Sequence, residues 1–252
     1  MRALFTDLLA SLSLLSRLPV PVDHAQTGTR SARAAWAWPM AGAVLATLAA
    51  LPGLALASLG VATPLAAGMS LATLIMITGA MHEDGLADTA DGLWGGWDPA
   101  RRLEIMKDSR VGVYGVLALV LATGLRWTAL TILLSGGAVT FITSMVAAAA
   151  VSRAAMAGVM NALPHARPDG LSAHVGTVPV SAARGALLLA GFIALCTGLP
   201  AGLAAALAVL LVSLGVARIA KAKIGGQTGD ILGAVQQSAE ITALIALATV
   251  LT

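Results

Sequence analysis

The chain has 252 residues, the length of one large domain or two small ones. Apolar residues make up 58% of it and charged residues only 11%, against about 45–50% and about 25% in soluble proteins. This composition cannot supply a water-facing surface, which excludes a soluble enzyme and a disordered chain. The net charge of +3 excludes a nucleic-acid-binding protein, and the single cysteine, Cys196, excludes an intrachain disulfide and cysteine-based metal sites. The class that remains is a polytopic membrane protein.

The first predicted element is a short amphipathic helix. Leucines recur at helical spacing over residues 3–17, at Leu4, Leu8, Leu12 and Leu15. A secretory signal peptide is the alternative, but Asp7 interrupts the apolar run and no small-residue cleavage site follows it. We therefore expect a short N-terminal helix that lies in the membrane interface.

Longer apolar segments follow along the chain. A helix needs about 20 mostly apolar residues to cross the hydrocarbon core of a bilayer. Seven segments meet this requirement approximately: 36–59, 64–82, 112–135, 138–160, 181–198, 200–217 and 231–251. They are rich in alanine, glycine and leucine, and small residues let helices approach closely in lipid. We predict an all-α fold, a tight bundle of about seven transmembrane helices that forms one integral membrane domain over residues 1–252.

The distribution of lysine and arginine predicts the orientation of the bundle. The connections near 60–63, 136–137 and 199 carry neither residue. Nearly all of the cations lie in the other segments, at Arg2, Arg17, Arg30, Arg33, Arg101, Arg102, Lys107, Arg110, Arg167, Arg184, Arg218, Lys221 and Lys223. Basic connections stay in the cytoplasm, so the N-terminus is predicted to be cytoplasmic and the C-terminus external.

Acidic residues are concentrated in one short segment. Seven of the 12 Asp and Glu residues lie between 83 and 108, at Glu83, Asp84, Asp88, Asp91, Asp98, Glu104 and Asp108. The spacing of Asp84, Asp88 and Asp91 confines them to about a 60° arc of one helix face. A solvated face is one interpretation, but these acids directly extend an apolar segment. We favour a site for Mg²⁺ or Mn²⁺, which prefer carboxylate oxygens and take further ligands from substrate phosphates.

A basic stretch follows the acids on the same predicted cytoplasmic side. It contains Arg101, Arg102, Lys107 and Arg110. The orientation of the bundle alone explains these cations. An acidic cluster followed by a basic one is also what a metal–diphosphate substrate requires, because the metal neutralises some phosphate oxygens while Arg and Lys bind others. The two interpretations are compatible, and residues 83–110 become the candidate catalytic segment.

Five stretches of the sequence resemble cobalamin synthase, the adenosylcobinamide-GDP ribazoletransferase family of the bacterial inner membrane. They are SRLPVP at 16–21, MHEDGLADTADG at 81–92, RRLEIMKDSRVGVYG at 101–115, LPHARPDG at 163–170 and GGQTGDILGA at 225–234. Their order is that of the family, they span nearly the whole chain, and the acidic stretch is the most specific of them.

The resemblance implies a magnesium-dependent transferase. Such an enzyme joins adenosylcobinamide-GDP to α-ribazole, or to α-ribazole 5′-phosphate, and releases GMP. This reaction completes the nucleotide loop of adenosylcobalamin or of its 5′-phosphate. A homo-oligomer, or a complex with other cobamide-assembly enzymes, stays open.

The acidic and basic stretches receive roles on this basis. Glu83, Asp84, Asp88 and Asp91 are expected to hold one or two magnesium ions, unless one of them, Asp88 or Asp91, acts instead as the base that accepts the ribazole hydroxyl proton. In the basic stretch, the candidates for binding the phosphates are Arg102, Lys107 and Arg110, and Asp108 is the candidate for a further ligand or an orienting partner.

Two other features are candidates for binding substrate. The glycine-rich stretch with Gly226, Thr228 and Asp230 lacks the lysine and the spacing of a Walker motif, and the resemblance favours a backbone cradle for phosphate. Asp230 could equally cap the last helix. Arg153 lies deep in an apolar segment, where a charge is costly. It either faces the bundle interior, to meet an acid or a phosphate, or extends towards the cytoplasmic end.

An ion-coupled secondary transporter is the alternative function. A transporter would have paired half-chain repeats and acids near the bilayer midplane. The acids instead lie at the predicted cytoplasmic end of the second segment, and no internal repeat is evident in the sequence. We therefore favour the enzyme.

Overall fold

The chain folds into helices in a computed structural model, which describes residues 2–22 and 31–252. These residues form eleven α-helices and no β-strand: α1 (Arg2–Leu15), α2 (Trp38–Ser58), α3 (Thr63–Thr78), α4 (Met81–Gly95), α5 (Pro99–Ile105), α6 (Val113–Ser135), α7 (Ala138–Ala162), α8 (Leu171–Val175), α9 (Val180–Leu195), α10 (Leu199–Ile224) and α11 (Gly229–Leu251). A 3₁₀ turn, Arg33–Ala37, leads directly into α2. The predicted all-α membrane bundle is confirmed, while Arg30, one of the cations used for the orientation, lies outside the described residues.

The number of membrane-crossing helices is smaller than the expected seven. Five stretches are long and apolar enough to cross a membrane alone: Arg33–Ser58, α6, α7, α10 and α11. Helices α3 and α4 qualify only as a pair, and the pair is bent by 85°. Helix α9 has 16 residues, which at about 1.5 Å per residue span roughly 24 Å, less than the ~30 Å of a hydrocarbon core. The described chain therefore offers five spans, or six if the bent pair forms one broken span.

The bend between α3 and α4 separates the acidic segment from the apolar helix that it was expected to extend. Gly79 and Ala80 both adopt the left-handed conformation, with φ of 66° and 56°. Two such residues in succession end the helical hydrogen-bond ladder, and this backbone is costly for alanine. The acids therefore lie on a separate helix, bent by 85° from α3.

The two most buried helices, α7 and α11, form the centre of the bundle. Helix α11 packs against α4, α6, α7 and α10, and α7 packs against α2 and α9. Small residues make these approaches possible, as predicted. A Cβ atom on Gly42 of α2 would lie 2.6 Å from the carbonyl oxygen of Ala149 on α7. Likewise, a Cβ atom on Gly85 of α4 would lie 3.2 Å from the Cα atom of Gly233 on α11.

The basic connections meet at one end of the bundle, as their charge pattern predicts. The Arg17 N–H donates to the Ile77 carbonyl oxygen at 2.7 Å. The Arg102 guanidinium donates to the carbonyl oxygen of Lys223 at 2.9 Å. We call this end of the molecule, with the loops after α4, α7 and α10, the polar end.

Helix α1 packs against α2 and covers part of the core. Leu12 and Leu15 are buried, whereas Leu4 and Phe5 are exposed. The carboxylate of Asp7 is buried and accepts a hydrogen bond from the indole N–H of Trp36 at 3.0 Å. This amphipathic arrangement has the form expected for a helix in the membrane interface, and its position relative to lipid stays a prediction.

Candidate active site at the polar end

The four carboxylates predicted to share a metal are divided among three environments. Glu83 points into the bundle, where its Oε1 atom lies 2.6 Å from the guanidinium of Arg126. Asp91 points to the start of α6. Asp84 and Asp88, one helical turn apart, make no hydrogen bond or ion pair with any part of the chain that the structure describes. The helical spacing is as predicted, and neighbouring helices give the side chains different partners.

Glu83 belongs to a buried network of charged and amide side chains. Arg126 also donates to Glu240 at 2.7 Å and to Gln237 at 3.0 Å. The guanidinium of Arg153 donates to Glu240 at 3.3 Å. All of these side chains are at least nine-tenths buried. A buried ion can be retained only when such partners offset its desolvation. The network does this for Glu83 through Oε1, while the buried Oε2 atom of Glu83 has no partner among the described residues.

Arg153 faces the bundle interior, which was one of its two predicted arrangements. Only 1% of its side chain is exposed. Its guanidinium also donates to the Ala149 carbonyl oxygen at 3.1 Å. The acid that it meets is Glu240 rather than an acid of the 83–108 segment. The guanidinium is enclosed and pairs through Nη1, while its Nε–H has no partner among the described residues. A role of Arg153 in substrate binding stays a prediction.

Asp91 caps the beginning of α6. Its carboxylate accepts the backbone N–H groups of Gly112 at 2.7 Å and of Gly115 at 2.9 Å. The first N–H groups of a helix have no acceptor within it, and a carboxylate at this position is favourable to the helix dipole. Both Asp91 oxygens are engaged, so the geometry favours Asp88 over Asp91 as the base.

Asp84 and Asp88 face a cleft whose other wall is the loop after α7 and the start of α11. Asp88 is half-buried and lies within electrostatic reach of Asp84, Asp230 and the Arg167 guanidinium. Arg167 donates from Nη2 to Asp230 at 3.1 Å, while its buried Nη1 has no partner in the described structure. Two free carboxylates and an incompletely paired guanidinium thus meet in one place.

The glycine-rich stretch packs against the loop after α7, which forms one wall of this cleft. Its backbone pairs with the loop after α7: the Ala166 N–H donates to the Gln227 carbonyl oxygen at 2.8 Å, and the Gln227 N–H donates to the Pro164 carbonyl oxygen at 2.9 Å. A Cβ atom on Gly226 would collide with that Pro164 oxygen, so only glycine fits there. Gly226 is therefore needed for loop packing.

The next residues begin α11 at the cleft. Thr228 is the N-cap, and its hydroxyl accepts the Ile231 N–H at 3.3 Å. The same hydroxyl donates to Asp230 at 3.1 Å. Asp230 lies in the first helical turn, pairs with Arg167 and does not cap the helix. The remaining N–H groups of this turn form the kind of helix terminus that binds phosphate.

In the basic stretch, Arg102 and Lys107 are paired with protein groups, although both were predicted to bind phosphate. Arg102 donates to the carbonyl oxygens of Gly96 and Lys223 and so joins the loop after α4 to the end of α10. Lys107 is exposed and pairs with Asp169 at 2.6 Å. Arg102 and Lys107 thus bind protein groups, and the loop containing Asp169 brings Lys107 towards the rim of the cleft.

Asp108 and Arg110 pair with each other at 2.6 Å on the surface. The Arg110 guanidinium lowers the pKa of Asp108 to about 2, and the Lys107 ammonium lowers the pKa of Asp169 below its ordinary value. This ion pair is compatible with Asp108 as an orienting partner of Arg110, one of its two predicted roles, and both roles stay predictions.

The residues present fit a magnesium ion held jointly with a substrate, and do not fit a cage made by protein alone. Within residues 2–22 and 31–252, no three Asp, Glu, His or Cys side chains are grouped to hold a metal ion. Mg²⁺ commonly takes one or two carboxylates and completes its shell with water and substrate phosphate. Asp84 and Asp88 fit that pattern, whereas both oxygens of Asp91 and the Oε1 atom of Glu83 already have partners in the chain. Metal binding by all four carboxylates stays a prediction.

Arg167 is the site residue that sequence reasoning missed as a functional group. It lies within the Leu163–Gly170 stretch, and it was counted only among the cations that predict orientation. The sequence feature that could have indicated a functional role is the position of Arg167 directly before the Pro-Asp-Gly turn of that stretch. A cavity of about 150 Å³ continues from the cleft into the bundle, lined by Asp84, Arg167 and Asp230 at its polar side and by apolar residues below.

Comparisons with known proteins assign the chain to a family. A family model described as cobalamin-5-phosphate synthase matches residues 7–248. The adenosylcobinamide-GDP ribazoletransferase of Bradyrhizobium diazoefficiens is 44% identical over 252 residues, covering 98% of this chain and 95% of that protein. Proteins of the same name are 41% identical in Sinorhizobium medicae, over 98% of this chain and 97% of the relative, and 43% identical in Brucella canis, over 97% and 96%. No solved structure matches. The chain belongs to the cobalamin-5-phosphate synthase family of enzymes, which its five motifs resemble.

Proposed function

We propose that this protein is a magnesium-dependent adenosylcobinamide-GDP ribazoletransferase of the bacterial inner membrane. It joins adenosylcobinamide-GDP to α-ribazole, or to its 5′-phosphate, and releases GMP. The single observation that carries the proposal is the cleft at the polar end, where Asp84 and Asp88 face Arg167 and the start of α11. The family match favours this reaction over the alternative, an ion-coupled transporter.

The cleft has the groups that a diphosphate requires. Asp84 would hold Mg²⁺, together with Asp88 unless Asp88 acts as the base, and the ion would offset negative charge on the phosphate oxygens. The Nη1 group of Arg167 has no protein partner and is available to another oxygen. The N–H groups at the beginning of α11 lie beside it and favour an anion. These groups orient the diphosphate and stabilise the charge that develops on the departing GMP.

The acceptor reacts through a ribose hydroxyl. Its oxygen bonds to the phosphorus nearer the cobinamide, the bridging P–O bond breaks, and GMP leaves with that bridging oxygen. The hydroxyl proton needs an acceptor within hydrogen-bond reach. Asp88 is the candidate, because it is half-buried in the cleft and unpaired in the described structure, while Asp91 is engaged at α6.

The polar end is proposed to face the cytoplasm. The basic connections converge there, and basic connections remain cytoplasmic. The substrates are charged or large and polar, so a cleft at the membrane surface can take them from water. The protein is thereby anchored in the bilayer while its reacting groups stay accessible.

The test is GMP release by the full chain in detergent, given adenosylcobinamide-GDP and α-ribazole with Mg²⁺ or with a chelator. We expect Mg²⁺-dependent GMP that matches a cobamide product in amount. Asp84→Asn and Asp88→Asn should each reduce the rate at least a hundredfold. Glu104→Gln is the matched control, because Glu104 is 69% exposed and pairs only with exposed Arg101. Absence of GMP from folded wild-type protein would reject the proposal.

A further inference from the structure

The cavity behind the cleft has an apolar interior and a polar mouth. It lies where α1, α2, α4, α7 and α11 meet, and its volume is about 150 Å³. Leu15, Trp38, Met156, Met160 and Leu232 line its interior. Apolar cavities of about this volume stay dry and bind small aromatic molecules, and this one is open at its polar mouth, so a larger ring system can extend towards the cleft. The interior is therefore suited to a flat, largely apolar group attached to something larger outside.

Two buried ring nitrogens at this cavity have no hydrogen-bond partner. Trp38 and His82 both line the cavity, and each is 2% exposed. Neither the Trp38 Nε1–H nor the His82 Nε2 atom bonds to any residue that the structure describes. A buried polar group without a partner is costly, and most native examples are satisfied by protein, water or a ligand. The two nitrogens thus point to a ligand with few polar atoms.

We propose that this cavity binds the aromatic base of the acceptor nucleoside, an assignment that rests on the proposed transferase function. The base of α-ribazole is a dimethylbenzimidazole, a fused apolar ring system with one unsubstituted ring nitrogen. That nitrogen accepts the hydrogen bond of the Trp38 indole N–H. The ring packs against Met156 and Met160, since methionine adapts well to an aromatic surface. The attached ribose then lies at the mouth, beside Asp84 and Asp88.

The guanine base of the donor fits this interior poorly. Guanine has donors and acceptors around most of its edge, and each needs a partner when buried. Apart from Trp38, His82, the charged groups at the mouth and Ser172, whose hydroxyl already donates to Gln227, the lining is leucine, methionine, valine and glycine. A benzimidazole nitrogen is satisfied by one donor. The chemistry therefore assigns the cavity to the acceptor and leaves the nucleotide of the donor outside it.

Direct binding tests the assignment without turnover. Titration calorimetry of the full chain in detergent with 5,6-dimethylbenzimidazole should give saturable binding that guanosine does not displace. Met156→Phe fills the cavity and should weaken binding at least tenfold. Met145→Phe is the matched control, because Met145 is equally buried on α7 but does not line the cavity. Trp38→Phe keeps the ring and removes the donor, so it should weaken binding about two- to tenfold.

Opposite results would overturn the assignment. Unchanged binding in both Met156→Phe and Trp38→Phe, or displacement of the base by guanosine, rejects it.

Steady-state kinetics separate this subsite from the reaction itself. In an active wild type, Met156→Phe should raise the KM for α-ribazole and leave the KM for adenosylcobinamide-GDP unchanged. Active enzyme with an unchanged KM for α-ribazole rejects the subsite and keeps the transferase. If the wild type releases no GMP, the proposed function fails, and the calorimetry still decides whether the cavity takes a benzimidazole.

Discussion

Glu240 holds two buried guanidinium groups at once. Its carboxylate accepts hydrogen bonds from Arg126 at 2.7 Å and from Arg153 at 3.3 Å, with Gln236 donating at 2.6 Å. Removing one member of a buried ionic network leaves charge without compensation and costs about 3–5 kcal/mol. The network also fixes α4 through Glu83, because Arg126 binds both acids.

Glu240→Gln should therefore lower the thermal unfolding midpoint in detergent by several degrees. The shape of the side chain is kept, but Arg153 loses its only acid in the described structure. Glu104→Gln removes a carboxylate of the same type from the surface and should leave the midpoint within about a degree. Equal midpoints for the two variants would mean that the buried network contributes little to stability.

Arg167 is expected to act on substrate rather than on folding. Arg167→Gln should lower kcat/KM for adenosylcobinamide-GDP by about ten- to a hundredfold, because this loss corresponds to the free energy of one charge-assisted hydrogen bond. Arg167→Lys should recover only part of this, because lysine lacks the planar fork of arginine. Arg218→Gln removes an exposed cation from α10 and serves as the control. Retention of wild-type kcat/KM by Arg167→Gln would exclude the phosphate role.

At the scale of elements, the crossing of α4 and α11 decides where the free carboxylates lie. Gly85 faces Gly233 at this crossing, and a Cβ atom on Gly85 would lie 3.0 Å from the Asp230 carbonyl oxygen. Backbone atoms cannot yield as a flexible side chain can. A methyl group at Gly85 therefore requires the two helices to separate by a few tenths of an ångström, which shifts Asp84 and Asp88 relative to Arg167.

Gly85→Ala should thus reduce GMP release strongly and lower the thermal midpoint. Gly124→Ala is its matched control, because a Cβ atom on Gly124 of α6 meets nothing within 4 Å. Alanine is favoured over glycine in a helix by about 1 kcal/mol, so Gly124→Ala should be neutral or slightly stabilising. Comparable losses in the two variants would contradict the importance of the close crossing.

At the scale of the whole molecule, the orientation can be tested with the single cysteine. Cys196 is exposed and lies at the turn between α9 and α10, at the end opposite the cleft. In intact bacterial cells, a membrane-impermeant maleimide should label Cys196. Ser109→Cys in a Cys196→Ser background lies in the exposed loop after α5 and should react only after the cells are permeabilised. The reverse pattern would place the cleft outside the cytoplasm.

The membrane fold could be predicted because it depends on properties that each segment carries by itself. A run such as 138–160 is apolar enough to be a span whatever its neighbours are, and it is a helix in the structure. The number of membrane spans could be predicted less well. It depends on the short length of α9, 16 residues, and on the left-handed bend at Gly79–Ala80, and both depend on local backbone geometry. Hydropathy averaged over a window does not register either feature.

The all-α membrane class, the convergence of the basic connections, the acidic segment and the family resemblance could all be inferred from the order of the residues. The use of the acids could not be inferred, because it depends on how the helices pack. Glu83, Asp84 and Asp91 are close in sequence, yet one meets Arg126, one stays free and one caps α6. Spacing along a helix fixes the direction of a side chain, but its partner comes from a distant segment, 43 residues away for Glu83 and Arg126. An ion pair between such distant segments forms only when the helices pack together, and the same is true of the cavity that α4 lines.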